Sequence, residues 1–291
     1  MQLVFHTGAH FTQEDRVMKC LLRNKDSLVP NGTAVPGPGR YRKLMRGMLS
    51  AMETAPAAPD ARELLLDAIL EGETADRVLL SHPHIFGVPR AALRKGVLYP
   101  KAPARMAGLA EVFAQDDLEF FMALRNPATF LPAAFRESPR EEMADFTDGF
   151  DPRVIRWSDT LLRMREAAPD VALTVWCNED APIVWSQVIR EIAGLDHGVS
   201  VTGAYDLLED IMEPDGQVQF REYVRTRPGL TEIQLRRVMV VFLDKFARDD
   251  AIEEVIDMPG WNAELIADMT AAYEEDVFEI GRIPGVTLIA P

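Results

Sequence analysis

Four of the five histidines fall in two short stretches: His6 and His10 follow the apolar run Gln2–Phe5, and His82 and His84 close and follow the run Arg77–His82. Imidazole titrates near neutral pH, so histidines at strand ends are natural candidates for a general base or for metal ligands. If the two runs are neighbouring strands of a parallel sheet, all four rings meet at its carboxyl edge, where α/β proteins build their sites. A divalent ion such as zinc would find imidazole nitrogens there, with Glu14 or Asp15 as a carboxylate ligand. The two pairs have no established ligand spacing, so no residue is assigned to a metal. As bases, His82 and His84 are the candidates. Ser81 lacks a GxSxG elbow and does not indicate a Ser hydrolase. Cys20 and Cys177 are the sole cysteines, far apart and outside any CxxC pair, so neither a zinc knuckle nor a disulfide framework is indicated and a reducing cytoplasm fits best.

A second chemistry is suggested by the stretch between the first strand and the first helix, His6-Thr7-Gly8-Ala9-His10-Phe11-Thr12-Gln13-Glu14-Asp15. A strand, a small-residue turn and a helix form the outline of a phosphate cradle. Glycine lets consecutive N–H groups face the anion, the helix dipole adds partial positive charge, and a lysine neutralises it. Gly8 and Thr12 keep that outline, but Glu14 and Asp15 stand where the anion would lie. One carboxylate about 4 Å from a phosphate oxygen costs roughly 4 kcal/mol at an effective dielectric of about 20, nearly a thousandfold in affinity. In a first helical turn the same carboxylates stabilise a helix whose anion site is empty.

The elements that must position these residues alternate short apolar runs with helical periods, the pattern of a parallel sheet flanked by helices. The expected strands are Gln2–Phe5, Arg77–His82, Leu118–Leu124 as a buried central strand, and Ala172–Asp180 as the last obvious core strand. The first helix is expected from Thr12 or Gln13 to before Pro30, burying Val17, Met18, Leu21, Leu22 and Leu28. Pro30–Arg40 reads as a surface loop, followed by helices over 41–53 and 62–70. After Gly194 the chain is predicted to be mostly helical. One stripe there carries Leu235, Val238, Met239, Phe242 and Phe246, and another carries Leu265, Ile266, Met269, Tyr273, Val277 and Ile280. Both are expected to pack on the sheet. This is a single unit of 291 residues, with an α/β core over 1–194 and a helical extension over 195–291.

Composition narrows the partners. The formal net charge is −15, which argues against sequence-independent binding to nucleic acid or to an anionic membrane. A local basic pocket is compatible with that balance, drawn from Arg40, Tyr41, Arg42, Lys43 and Arg46 or from Arg90, Arg94 and Lys95. No apolar run approaches 18 residues and no signal-peptide pattern follows Met1, so the expectation is a soluble cytoplasmic protein with a small-molecule acceptor.

Taken together, the segments resemble the family of sulfotransferases that use 3′-phosphoadenosine 5′-phosphosulfate (PAPS), in its bacterial branch. The resemblance rests on the loop from His6 to Asp15 and on the strand ending in Arg125-Asn126-Pro127, with Ala133 and Phe135 beyond it. VLLSHPHIFG, LTVWCNED and AYEEDVFEIGRIPGV agree in order and spacing. It implies a three-layer, P-loop-like α/β fold with a central, mainly parallel sheet. It also implies transfer of a sulfuryl group to a hydroxyl or amine, with PAPS held by Gly8, Ala9, His10, Thr12, Arg125 and Asn126 and with His82 or His84 as base. The motif is degenerate: Phe11 replaces its lysine, Gln13 its glycine, Glu14 and Asp15 its hydroxyl pair, and Ala133 a serine. Weakened or lost PAPS binding is therefore expected, with Arg125 paired internally, to Glu14 or Asp15. Two alternatives stand beside it. One is a non-catalytic binding or interaction protein on the same scaffold, using the acidic loop or the segment from Pro36 to Arg42; the other is a metal-binding protein using the histidine cluster.

Overall fold

In the computed structural model, which describes residues 1–252 and 254–291, strand β1 (Gln2–His6) is apolar on both faces. Leu3 and Phe5 point into one buried layer and Val4 into the other, because helices cover both sides of the sheet. The remaining strands are β2 (Thr33–Ala34), β3 (Arg77–Ser81), β4 (Leu93–Arg94), β5 (Val97–Leu98), β6 (Asp117–Leu124), β7 (Ala172–Cys177) and β8 (Val286–Ile289). Six of them form one sheet in the order β2-β3-β1-β6-β7-β8, and every pairing in it is parallel. β4 and β5 make a separate antiparallel hairpin.

The fold is thus a three-layer α/β arrangement with a P-loop-like strand, turn and helix at its start. Helices 38–51, 61–70, 102–112, 127–136, 157–167 and 263–280 supply the layer against Leu3 and Phe5; helices 14–23 and 181–193 supply the layer against Val4. Trp157, Trp176 and Trp185 are fully buried, each worth about 1.5–3 kcal/mol or more in apolar area removed from water.

Several sequence expectations need correction. Pro30–Arg40 is not a bare surface loop: β2 runs through it with Thr33 and Val35 buried, and helix 38–51 starts inside it. Leu22 faces solvent, because the first helix ends at Arg23 and a short helix (Lys25–Leu28) carries Leu28 inward. β7 is not the last core strand, since β8 extends the sheet beside it.

The two C-terminal stripes also part company. Met269, Tyr273 and Ile280 join the main core as expected. Leu235 and Met239 instead form a small cluster of their own with Leu208, Met212 and Phe220. That cluster depends on Gly216, where an added Cβ would sit 2.5 Å from the Phe246 Cβ.

β1 lies at the centre, with β3 on one side and β6 on the other. His6 stands opposite Ser81 and Phe121 in register. The winding of the chain reverses beside β1, so the turns that follow β1, β3 and β6 share the carboxyl edge where ligand sites form in such sheets.

Candidate functional site at the carboxyl edge of the sheet

The turn after β1 keeps the outline of a phosphate cradle, but the N–H groups of Thr7, Ala9 and His10 and the Thr12 hydroxyl are spent within the protein. Gly8 takes φ +99°, a conformation that favours glycine, and lies against the turn after β3: a Cβ on it would be 3.8 Å from the Pro83 carbonyl oxygen. The Thr7 N–H donates to the Phe121 carbonyl at 2.9 Å, and the Ala9 N–H to the Ala123 carbonyl at 2.8 Å. The His10 N–H donates to the Tyr99 hydroxyl at 2.8 Å, and His10 Nδ1 shares a 2.6 Å hydrogen bond with the same hydroxyl. The Thr12 hydroxyl donates to the Ala9 carbonyl at 2.7 Å. Phe11, which stands where the motif has lysine, takes φ +60° and packs its ring near Phe130 at the edge of the core. As arranged, the backbone does not aim these N–H groups at a common anion.

Arg125 is consumed in the same way. It leaves the end of β6 and is 9% exposed. Its Nη2 donates to both carboxylate oxygens of Glu254 at 2.6 Å, its Nη1 to the Phe11 carbonyl at 2.5 Å, and its Nε to the Thr129 hydroxyl at 2.9 Å. The expectation of an internal ion pair therefore holds with a different partner. Asp15 is exposed, and the Glu14 side chain lies outside what the structure describes. The Arg125 carbonyl is itself held by the Trp157 indole N–H at 2.8 Å.

Asn126 works as a helix cap. Its side chain accepts from the Ala128 N–H at 2.9 Å and donates to the Thr270 hydroxyl at 3.0 Å. Its backbone N–H donates to Glu179 at 2.8 Å, and that carboxylate also accepts from the Tyr273 hydroxyl at 3.1 Å. Glu179 thus serves the neighbouring helix, while the helix after β7 has no side-chain cap from Asp180. Ala133 is half-buried on helix 127–136.

The four histidines do come to one edge, and they divide by role. His6 shares a 2.9 Å hydrogen bond with the Ser81 hydroxyl and stacks on Trp176, with ring centres 6.0 Å apart; both His6 and Ser81 are sealed in the core. His10, His84 and His82 form a line of rings, with centres 5.3 Å apart for the first pair and 5.9 Å for the second. Burial and neighbouring cationic or imidazole groups hold His6, His10 and His82 down to about 3, while His84 is lowered by burial and by Arg46 and Arg42. All four are neutral at pH 7. Among the described residues, no group of three or more His, Cys, Asp or Glu is arranged to hold a metal ion.

Two basic cavities draw on the clusters expected from the sequence, the second without Arg40, which pairs with Glu71, and without Tyr41, which is buried. The larger, about 710 Å³, is lined by Arg90, Arg94, Lys95, Lys101 and Arg140, but Asp145 and Asp148 share the lining, and Asp148 accepts from the Lys95 N–H at 2.6 Å. The smaller, about 430 Å³, lies between the first turns of helix 38–51 and the turn after β3. It carries Arg42, Lys43 and Arg46 together with His82, Pro83 and His84. Of the tryptophans, Trp261 alone is partly exposed, in a separate cavity of about 350 Å³.

Tyr99 and Glu254 escaped sequence reading. Tyr99 lies within an unremarkable VLYP stretch, and Glu254 is separated from Arg125 by 129 positions, so neither carries a local signal.

Fold and site together define a three-layer α/β protein in whose cradle-shaped turn the N–H groups of Thr7, Ala9 and His10 are paired within the protein. No family model matches the chain. No curated protein sequence matches it. Among solved structures, it is similar to retinol dehydratase in complex with androsterone and the inactive cofactor PAP. The identity is 11%, the match covers 94% of this chain and 80% of that one, and the TM-score is 0.33. Among the described residues, no helix is long and apolar enough to cross a membrane.

Proposed function

We propose that the chain is a divergent sulfotransferase-like protein that does not hold PAPS in the ordinary pose and serves as a binding protein for a small molecule at the same sheet edge. The observation that carries this reading is the pairing of Arg125 with Glu254. The guanidinium that the sequence resemblance assigns to a nucleotide phosphate already has a carboxylate on it, and the N–H groups of Thr7, Ala9 and His10 have partners within the protein. A phosphate entering there would have to break a charge-assisted pair, and the N–H groups of Thr7, Ala9 and His10 would not be free to receive it.

The histidines favour the same reading over sulfuryl transfer. A general base works best with a pKa near the operating pH, and His82 is held at about 3, which makes it a poor proton acceptor at pH 7. Calorimetric titration with PAP, the desulfonated nucleotide, is expected to give no binding at concentrations on the order of 1 mM, a limit of about −4 kcal/mol. Micromolar binding of PAP by the wild-type protein would overturn the reading.

A further inference from the structure

Arg42, Lys43 and Arg46 make no ion pair among the described residues, in a chain where acidic side chains outnumber basic ones 46 to 31. With such an excess of carboxylates, three neighbouring cations left unpaired around one cavity need a reason. Arg42 is also held in place. Helix 38–51 docks on the end of β3 through Tyr41, whose hydroxyl donates to the Ser81 carbonyl and accepts from the Ser81 N–H, both at 2.9 Å. Arg42 Nε donates to the same carbonyl at 2.9 Å, while its Nη2 is buried with no partner among the described residues. A buried donor without a partner calls for an acceptor, a water or a bound ligand, and Arg105 Nε and Arg190 Nε share that state elsewhere.

We propose that this cavity of about 430 Å³ binds a small molecule through a phosphate or sulfate group, held by Arg42, Lys43 and Arg46 at the start of helix 38–51. Arginine presents a planar fork that matches a tetrahedral oxyanion, and lysine adds a mobile point charge. The helix contributes its positive end, and its first turn has no side-chain cap. Gly37 and Gly39 leave the backbone open, because an added Cβ on either would meet nothing within 4 Å. Among the described residues, no carboxylate lines the cavity to compete with the anion, in contrast to the larger basic cavity with Asp145 and Asp148.

The rest of the molecule sets the size of the ligand. A net charge of −15 repels a polyanion from the surface, whereas a compact anion needs only the local field of three cations. The neutral rings of His82 and His84 add imidazole faces and nitrogens beside the oxyanion, suited to the body of a polar metabolite. The inference rests on the binding-protein reading above and names the ligand class for it.

The test is calorimetric titration at low ionic strength with inorganic phosphate, inorganic sulfate and a hexose monophosphate, on the wild-type protein and on two variants. Lys43 and Arg46 are exposed, so the double variant Lys43→Gln/Arg46→Gln is expected to fold with unchanged melting temperature. It should lose at least tenfold in affinity for whichever probe binds. Arg125→Gln should leave that affinity unchanged, and the His84 ring resonances should move on ligand addition. Stronger binding of the hexose ester than of phosphate indicates a metabolite ester, and preference for inorganic sulfate or phosphate indicates the free anion; both support the site. Three silent probes, unmoved His84 resonances, or binding abolished by Arg125→Gln and untouched by the double variant would overturn it. Because PAP is titrated separately, failure here leaves the reading of the Arg125 site standing, and PAP binding there leaves this cavity untouched.

Discussion

At the scale of single residues, Glu254 and Tyr99 decide what the edge of the sheet can do. Glu254 places both carboxylate oxygens on Arg125 and so occupies the cation that an incoming phosphate would need. Glu254→Gln keeps an acceptor but removes the charge, and should raise affinity for PAP by about tenfold, the effect of roughly 1.4 kcal/mol. The spent N–H groups of the turn should keep that binding weak; titration of wild type and variant side by side checks it, and equal affinities would show that Glu254 does not guard Arg125. The Tyr99 hydroxyl is the partner of both the His10 N–H and His10 Nδ1 in a fully buried site. Tyr99→Phe leaves that N–H without its acceptor and should cost about 1–3 kcal/mol in urea unfolding.

Among the elements, the junction of helices 157–167 and 263–280 is held by one buried carboxylate. Asp276 accepts from the Trp157 N–H at 2.6 Å and from the Ser158 N–H at about 3.3 Å, capping the first of these helices from the second. Burial raises its pKa above the ordinary value of 3.8, while the two N–H donors oppose that shift. A raised acid favours the folded state most below its unfolded pKa, and that contribution is lost as pH rises through the folded pKa. Asp276→Asn keeps the acceptor without the charge, so wild type should gain on this variant as pH falls from 7 towards 3.8. Asp276→Ala removes the cap and should cost about 1–2 kcal/mol at either pH. Denaturant unfolding of the three proteins at both pH values measures the two effects, and a wild-type advantage that shrinks on acidification would contradict the assignment.

For the molecule as a whole, the buried imidazoles couple folding to pH. His6, His10 and His82 are lowered from an ordinary 6.5 to about 3, chiefly by desolvation. Their contribution is present above 6.5 and is lost as pH falls towards 3, because the unfolded chain takes up protons that the folded one refuses. Each histidine adds about 1.4 kcal/mol per pH unit to the slope once the unfolded ring is protonated. Urea unfolding between pH 7.5 and 5.5 should show a falling midpoint, with the slope reduced by about one proton in His6→Asn. A flat profile would mean that these rings titrate normally in the fold.

Much of this architecture was open to sequence reading, for a local reason. β1, β3, β6 and β7 are short apolar runs bounded by breakers, and hydrophobic period is written in neighbouring residues. The meeting of His10, His82 and His84 at one edge followed once two such strands were taken as parallel neighbours, and the replacement of lysine by Phe11 was plain from the motif. What tertiary structure alone decided was pairing across distance. β8 is four residues long and only partly apolar, so its place beside β7 shows in the assembled sheet and not in its own pattern. Glu254 reaches Arg125, Tyr99 reaches His10 and Asp276 reaches Trp157 across 129, 89 and 119 positions. Such partners are selected by the space and the unsatisfied donors that packing leaves behind, quantities that exist only after the layers have closed.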